Sequence, residues 1–313
     1  MKTKKVYIPI LIIGIYLTCG CNKRDYENQG VSFLVSNFNE NNWEAKIFYQ
    51  NNTKHEFLFL DDDNDDNIIG DITNLKLFDD YILFYERARD LLFLFSINED
   101  FMTKIGKKGR GPNEYTRITY YDFSTKNGEP VIEILDANRY EFQTYNLSGE
   151  LISVTKLNQD LSYMSFVHTE SGYFFFTPEN KDKYMLVLFS NNLKEIKERY
   201  LYDNSIFIPS EDQHFIKTDD KIFFHYGYND TIYSIDGTDV QPSIYIDFGE
   251  RKVVNSDVLN TKSLKEYQNK LYFSNKTFLG NIKNMMSNGN RIIFNFGEIK
   301  INEPTQSYYG DID

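Results

Sequence analysis

Cysteine is almost missing from this chain. Cys19 and Cys21 are the only two, and both fall within the first 21 of 313 residues, so the rest of the chain has neither a disulfide framework nor a Cys-x-x-Cys metal or redox motif. Histidine is nearly as scarce: His55, His168, His214 and His225 show no metal-ligand spacing, and no His-Glu-x-x-His motif or Gly-x-Ser-x-Gly elbow occurs. Basic residues are outnumbered, with 34 Lys and Arg against 46 Asp and Glu and a net charge of −12. That balance excludes the basic footprint a nucleic acid needs and a polybasic grip on anionic lipid. Long apolar runs are absent but for Val6 to Leu17, which is shorter than the roughly 20 residues that span a bilayer.

That one run has a specific context. Lys2, Lys4 and Lys5 precede it, Thr18-Cys19-Gly20-Cys21 ends it, and the polar stretch NKRDYENQG follows, which together read as an export signal rather than an anchor helix. The ending resembles a bacterial lipobox, in which a small residue precedes a cysteine that is lipidated. Gly20 makes Cys21 the expected lipidation site, with Cys19 as the alternative. The organisation expected is a signal peptide over 1–21, a polar tether over 22–41 and a single domain over 42–313.

What the chain has in abundance is aromatic residues, 26 Phe and 24 Tyr against 7 Pro and one Trp, a composition suited to strands. Strand-length runs recur between Asn, Asp, Gly and Ser clusters: YILFYE (81–86), DLLFLFS (90–96), PVIEILD (130–136), FQTYNL (142–147), GYFFFTP (172–178), YMLVLFS (184–190), KIFFHYG (221–227), DTIYSID (230–236), SIYIDFG (243–249) and RIIFNFG (291–297). Their spacing leaves no room for regular crossover helices. Phe95, Tyr145, Phe189 and Tyr233 hold equivalent places at intervals of 50, 44 and 44 residues. A period in the forties with three or four strands per unit is the signature of a β-propeller blade, a twisted sheet that covers both faces only by stacking on its neighbours. The fold expected is therefore all-β, a β-propeller. Near its end, NSDVLNTKSLKEYQNKLYF (255–273) carries Leu264, Tyr267 and Leu271 at helical spacing and predicts a short helical insertion. The runs at 42–50 and 55–61 are candidates to complete the last blade.

Several motifs also carry a family resemblance. IGKKGRGPNEY (105–115), LDANRYEFQTYNLSGEL (135–151), NDTIYSI (229–235) and YIDFG (245–249) resemble, in order, the recurrent motifs of the six-bladed β-propeller lipoproteins of Gram-negative bacteria, which are related to NHL-repeat and TolB-like propellers. Asp136-x-Asn138-Arg139, followed by Phe142 and Tyr145, looks like the core of an NHL repeat. The resemblance covers about Ile69 to Gly249 and implies six blades. Five blades or an incompletely closed ring are the alternatives, because the C-terminal part looks about one blade short.

Two charged stretches are candidate sites. The Gly-rich run at 106–112 concentrates basic residues in an acidic protein; Lys108 and Arg110 are candidate anion or sugar-acid contacts, with Glu114 beside them. The competing reading is structural, with glycines supplying positive φ, Pro112 stiffening a crossover between blades and Glu114 pairing Arg110. Asp61, Asp63 and Asp65 place oxygens at alternate positions like the start of a calcium loop. Ile72 stands where the bidentate acid would be, so a solvated turn is the stronger reading and no cofactor is expected, calcium being the alternative.

The function expected is thus a lipoprotein of the cell envelope, lipid-anchored to the outer membrane and facing the periplasm or the surface. Its propeller binds a protein or glycan partner without catalysis. The alternatives are a propeller enzyme, of glycoside hydrolase, lyase or lactonase type with a divalent cation in the channel, and a sensor or scaffold in nutrient uptake.

Overall fold

The computed structural model describes residues 7–13, 31–34, 53–59, 69–97, 101–178, 181–203, 213–249 apart from 219 and 228, Glu266, 278–288, 291–299 and 306–312. Three short strands come first: β1 (Tyr7–Ile13), β2 (Val31–Leu34) and β3 (Thr53–Phe59). A four-stranded sheet then forms from β4 (Ile72–Phe78), β5 (Tyr81–Glu86), β6 (Leu91–Ser96) and β7 (Phe101–Lys104), each strand bonded to the next. The pattern repeats in β8 (Tyr120–Lys126), β9 (Glu129–Asp136), β10 (Glu141–Tyr145) and β11 (Leu151–Lys156). It repeats again in β12 (Ser165–Thr169), β13 (Gly172–Phe176), β14 (Tyr184–Phe189) and β15 (Ile196–Tyr202). A fourth copy comprises β16 (Phe215–Lys217), β17 (Ile222–Phe224), β18 (Thr231–Asp236) and β19 (Asp239–Asp247), with β2 added parallel to β19 so that Val31 faces Ile244. Last comes a three-stranded sheet of β20 (Phe278–Asn288), β21 (Arg291–Ile299) and β22 (Gln306–Ile312).

The burial of each strand explains its sequence. Ile82 to Phe84, Leu92 to Phe95, all of β13 and Met185 to Phe189 are buried without alternation, so the two middle strands of the first and third four-stranded sheets are covered on both faces and read as unbroken apolar runs. The fourth strands β11 and β15 are mostly exposed, and Lys156, Lys197, Glu198 and Arg199 place charge along them, which blunts the outer sheet edge. Phe95, Tyr145, Phe189 and Tyr233 fall on β6, β10, β14 and β18, the third strand of each sheet, as the repeat requires.

Two compact units are present. Residues 54–182 and 186–199 make up most of the first, and 200–313 most of the second. Within the first unit, Leu83, Leu92 and Leu94 pack against Ile132, Ile134 and Tyr145, with Ile105, Tyr115 and Ile118 of the connecting segment closing the core. Leu135 and Phe142 of the next sheet meet Phe166, Tyr173 and Phe175, and the Phe142 and Phe166 rings cross edge-on at 4.8 Å. Edge-to-face pairs of this kind add about 0.5–1.5 kcal/mol each beyond their area burial. In the second unit, Ile216, Ile232 and Ile246 pack with Ile282, Ile292 and Phe294.

Six blades were expected, whereas four sheets with the full set of four strands occur among the described residues. Val31–Leu34, inside the segment read as a tether, is a strand, and so is Tyr7–Ile13 inside the segment read as a leader. Residues 55–61 were a candidate to complete the last blade. Instead β3 pairs with β1, because the isoleucine-rich run of β1 is itself a strand former. Glu266 is helical; the rest of 255–273 lies outside the described residues.

Candidate functional site

Since successive strands alternate in direction, the segments leading into β8 and β12 lie at one end of the first unit with the β9–β10 turn. The β8–β9 and β10–β11 turns lie at the other. The predicted Gly-rich loop is at the first, crossover end. Gly106 adopts φ +69°, and a Cβ there would come within 2.8 Å of the Tyr145 hydroxyl, so both conformation and space demand glycine. Gly109 and Gly111 do not use positive φ, contrary to the expectation. At Gly109 a Cβ would lie 1.9 Å from the Glu114 carboxylate, so a side chain there would displace Glu114 from its present partners.

Glu114 does not pair with Arg110. It accepts the Gly111 N–H at 2.8 Å and pairs with Lys107 at 3.0 Å, and these two partners hold its carboxyl below the usual glutamate range. Lys108 pairs with Asp90, which also accepts the Tyr85 hydroxyl. Arg110 is exposed and has no partner among the described residues. Of the three residues singled out in this loop, two are thus spent on local ion pairs.

The NHL-like motif holds this loop in place. Asp136, fully buried at the end of β9, accepts the Thr116 N–H at 2.6 Å, the Thr116 hydroxyl at 2.9 Å and the Arg139 N–H at 3.2 Å. Arg139 reaches the other way. Its guanidinium donates to the carbonyls of Gly111 and Glu114, each at 3.1 Å, and pairs with Glu141 at 3.1 Å. Glu141 takes a second cation, Lys156, at 2.6 Å. Burial alone would raise the Glu141 pKa, but Lys156 and Arg139 outweigh it and the net shift is downward. Behind it, Gln143 donates to Glu141 at 3.2 Å and accepts the Tyr145 hydroxyl at 2.7 Å. Burial, reinforced by the Glu141 charge, pushes Tyr145 up to about 12, so its hydroxyl stays a donor.

Beside this clamp the crossover end opens into a cleft of about 420 Å³, lined by Ala137, Asn138, Tyr140, Gln159, Asp160, Leu161, Ser162 and Tyr163. Its two walls are tied together where the Leu157 N–H donates to the Tyr140 carbonyl at 2.8 Å. The Tyr163 side chain is 2% exposed, and its hydroxyl is sealed from solvent beside the Asn158 backbone. Sequence reasoning missed this cleft. Asn158 to Ser162 reads only as turn chemistry, and the cleft exists because the crossover brings it against the β9–β10 turn.

A second constellation lies at the opposite end, where the second and third sheets meet. Ser124 on β8 is 2.7 Å from His168 Nδ1, and His168 Nε2 is 3.3 Å from Asn191 Oδ1. With its proton on Nε2 the imidazole donates to Asn191 and accepts from Ser124. The His168 ring stacks on Tyr173 at 4.3 Å, and the Tyr173 hydroxyl donates to Glu133 at 2.5 Å. Lys126 pairs with the same Glu133 oxygen at 2.9 Å, while the other oxygen of this fully buried carboxylate has no partner. Burial, then the Glu133 charge, drives the Tyr173 pKa up. The arrangement knits two sheets with polar side chains, and Ser124, 5% exposed, is poorly placed to meet a substrate.

In the second unit His225 is buried, and its Nε2 donates to the Asn229 carbonyl at 2.6 Å, so it is a satisfied core histidine. Among the described residues no group of three or more His, Cys, Asp or Glu side chains is placed to hold a metal. Asp61, Asp63, Asp65, Cys19 and Cys21 lie outside the described residues.

Among solved structures, the chain resembles a Bacteroides fragilis protein described as exported, with 17% identity and a TM-score of 0.63 over 81% of this chain and 75% of that one. A member of the DUF4221 family from Bacteroides vulgatus aligns with 12% identity and a TM-score of 0.46 over 76% and 73% of the two chains. Virginiamycin B lyase from Staphylococcus aureus aligns with 11% identity and a TM-score of 0.44 over 76% and 69%. No curated protein matches the chain. The likeness to the B. fragilis protein, together with the four successive four-stranded sheets, makes the fold an all-β β-propeller. The match that names the family runs past the point where the motif resemblance fades: across residues 62–313 the sequence fits the domain of unknown function DUF4934, and the chain belongs to that family.

Proposed function

We propose that this chain is an exported lipoprotein, held at the outer membrane through lipid on Cys21. In this reading its propeller has six blades and binds a protein or glycan partner at the crossover end, without chemistry on it. The observation that carries the binding reading is the 420 Å³ cleft beside the Asp136–Arg139 clamp. Its walls are braced by buried, fully engaged motif residues, which leaves Asn138, Gln159, Asp160 and Ser162 facing open space. A rigid scaffold that presents polar groups around a concavity binds with little ordering cost. The export signal and the cysteine that ends it support an envelope location, and export of the B. fragilis structural relative agrees with it.

Site-specific photo-crosslinking in intact cells tests the reading. A benzophenone side chain placed at Gln159 is expected to give a discrete adduct, whereas the same group at exposed Ile152 on β11 gives none. Equal adducts at both positions, or none at Gln159, would remove the crossover end as the binding face.

A further inference from the structure

We infer that the cleft takes an uncharged, hydroxyl-rich ligand, a saccharide of one or two units, an inference that rests on the crossover end being the binding face. The chemistry of the lining selects this class. Asn138 and Gln159 each offer a donor and an acceptor on one planar amide, Ser162 and Tyr140 offer hydroxyls, and Asp160 offers two acceptors. Adjacent hydroxyls on a sugar ring match such paired groups. An anion would find no counter-charge, because none of the eight lining residues is Lys, Arg or His. The nearest guanidinium, that of Arg139, is already engaged by Gly111, Glu114 and Glu141. Asp160 would also repel a negative group. An apolar ligand would strand the amides and the carboxylate without water, each unmet group weakening binding.

The groups open to a ligand are polar: Asn138, Gln159 and Asp160 are exposed and Ser162 partly so. The site is also held ready. Tyr140 keeps φ +53° with its carbonyl tied to Leu157, the Asp160 N–H is fixed by Asn158 at 2.8 Å, and the Tyr163 ring packs edge-on against Phe175 at 5.2 Å. A volume of about 420 Å³ falls within the range of about 300–1,000 Å³ seen for small-molecule sites.

Saturation-transfer NMR on the purified full-length chain in detergent provides the test. The probes are cellobiose, maltose, lactose and N-acetylglucosamine, with glucuronate and inorganic phosphate as anionic controls. At least one neutral sugar is expected to give signal and neither anion is. Asn138→Ala removes an exposed side chain, so its melting temperature should stay close to wild type while affinity for the bound sugar falls about tenfold. Binding of the anions, unchanged affinity in Asn138→Ala, or silence from every sugar overturns the inference. If the sugars are silent while Gln159 still cross-links in cells, the ligand class is wrong and the binding face stands; loss of both signals defeats both.

Discussion

Asp136 is the residue on which the crossover end depends, and Asp136→Ala measures how much. Its carboxylate is the acceptor for both the N–H and the hydroxyl of Thr116, at 2.6 and 2.9 Å, and it also meets the Arg139 N–H at 3.2 Å. The Arg139 N–H keeps the Asp136 backbone carbonyl, also at 3.2 Å, so the substitution strands mainly the two Thr116 groups. A hydrogen bond to an ionised group contributes at least about 1.5 kcal/mol, which puts the loss at about 3 kcal/mol. For a chain of 313 residues that corresponds to a fall in melting temperature of roughly 5 °C. The loop ahead of Thr116 should loosen as well. Limited trypsin digestion is expected to cut within Lys107 to Arg110 in the variant and not in the wild type, while Arg110→Ala melts within about 0.5 kcal/mol of wild type because its side chain is exposed. A fall in melting temperature below about 2 °C, with the loop still resistant to trypsin, would refute the clamp.

Other outcomes follow from particular geometries. Gly106→Ala, which must place a Cβ 2.8 Å from the Tyr145 hydroxyl at φ +69°, should destabilise by about 1–3 kcal/mol in urea unfolding, whereas Gly128→Ala, with open space around it, should cost only the smaller conformational penalty. Burial lowers the His225 pKa to about 4 from 6.5, against the opposing Asn229 bond and Asp230 charge. The unfolded chain therefore takes up a proton below pH 6.5 that the folded chain refuses until about pH 4, and stability should fall by about 3 kcal/mol across that window; His225→Gln should flatten this limb while leaving the steeper loss below pH 4.5, to which Glu141 contributes as its lowered pKa is crossed. Ser124 should resist a fluorophosphonate probe because it is buried; labelling that disappears in His168→Ala would move the reading to an enzyme. Cys21→Ser should abolish palmitate labelling and release the protein from the membrane fraction, and retention of label there with loss in Cys19→Ser would move the lipid to Cys19.

Much of the fold was legible because the middle strands of the first and third four-stranded sheets are covered on both faces. YILFYE, LLFLF, GYFFF and YMLVLF stand out as apolar runs for that reason. The first strands were not legible. β8 reads YYDFSTK and β12 reads SFVHT, where the buried polar Ser124 and Ser165 shorten the apolar run. The site was legible only in part. Asp136 and Arg139 were recognised as motif members, but their partners Thr116 and Gly111 lie 20 and 28 residues away, and sequence spacing says nothing about such contacts. The same distance hid the Ser124–His168 pair, 44 residues apart. Glu114 was assigned to Arg110 by proximity, yet the turn that brings the Gly111 N–H onto its carboxylate directs it to Lys107.

The central claim is that the cleft carries the binding function, while the charged Gly-rich loop serves the scaffold. Hydrogen–deuterium exchange on the purified protein, with and without a soluble glycan extract of the cell envelope, tests it most directly. Protection is predicted in peptides covering 137–140 and 158–163, with exchange at 107–111 unchanged. Protection centred on Lys108 and Arg110, with the cleft peptides unaffected, would contradict the account.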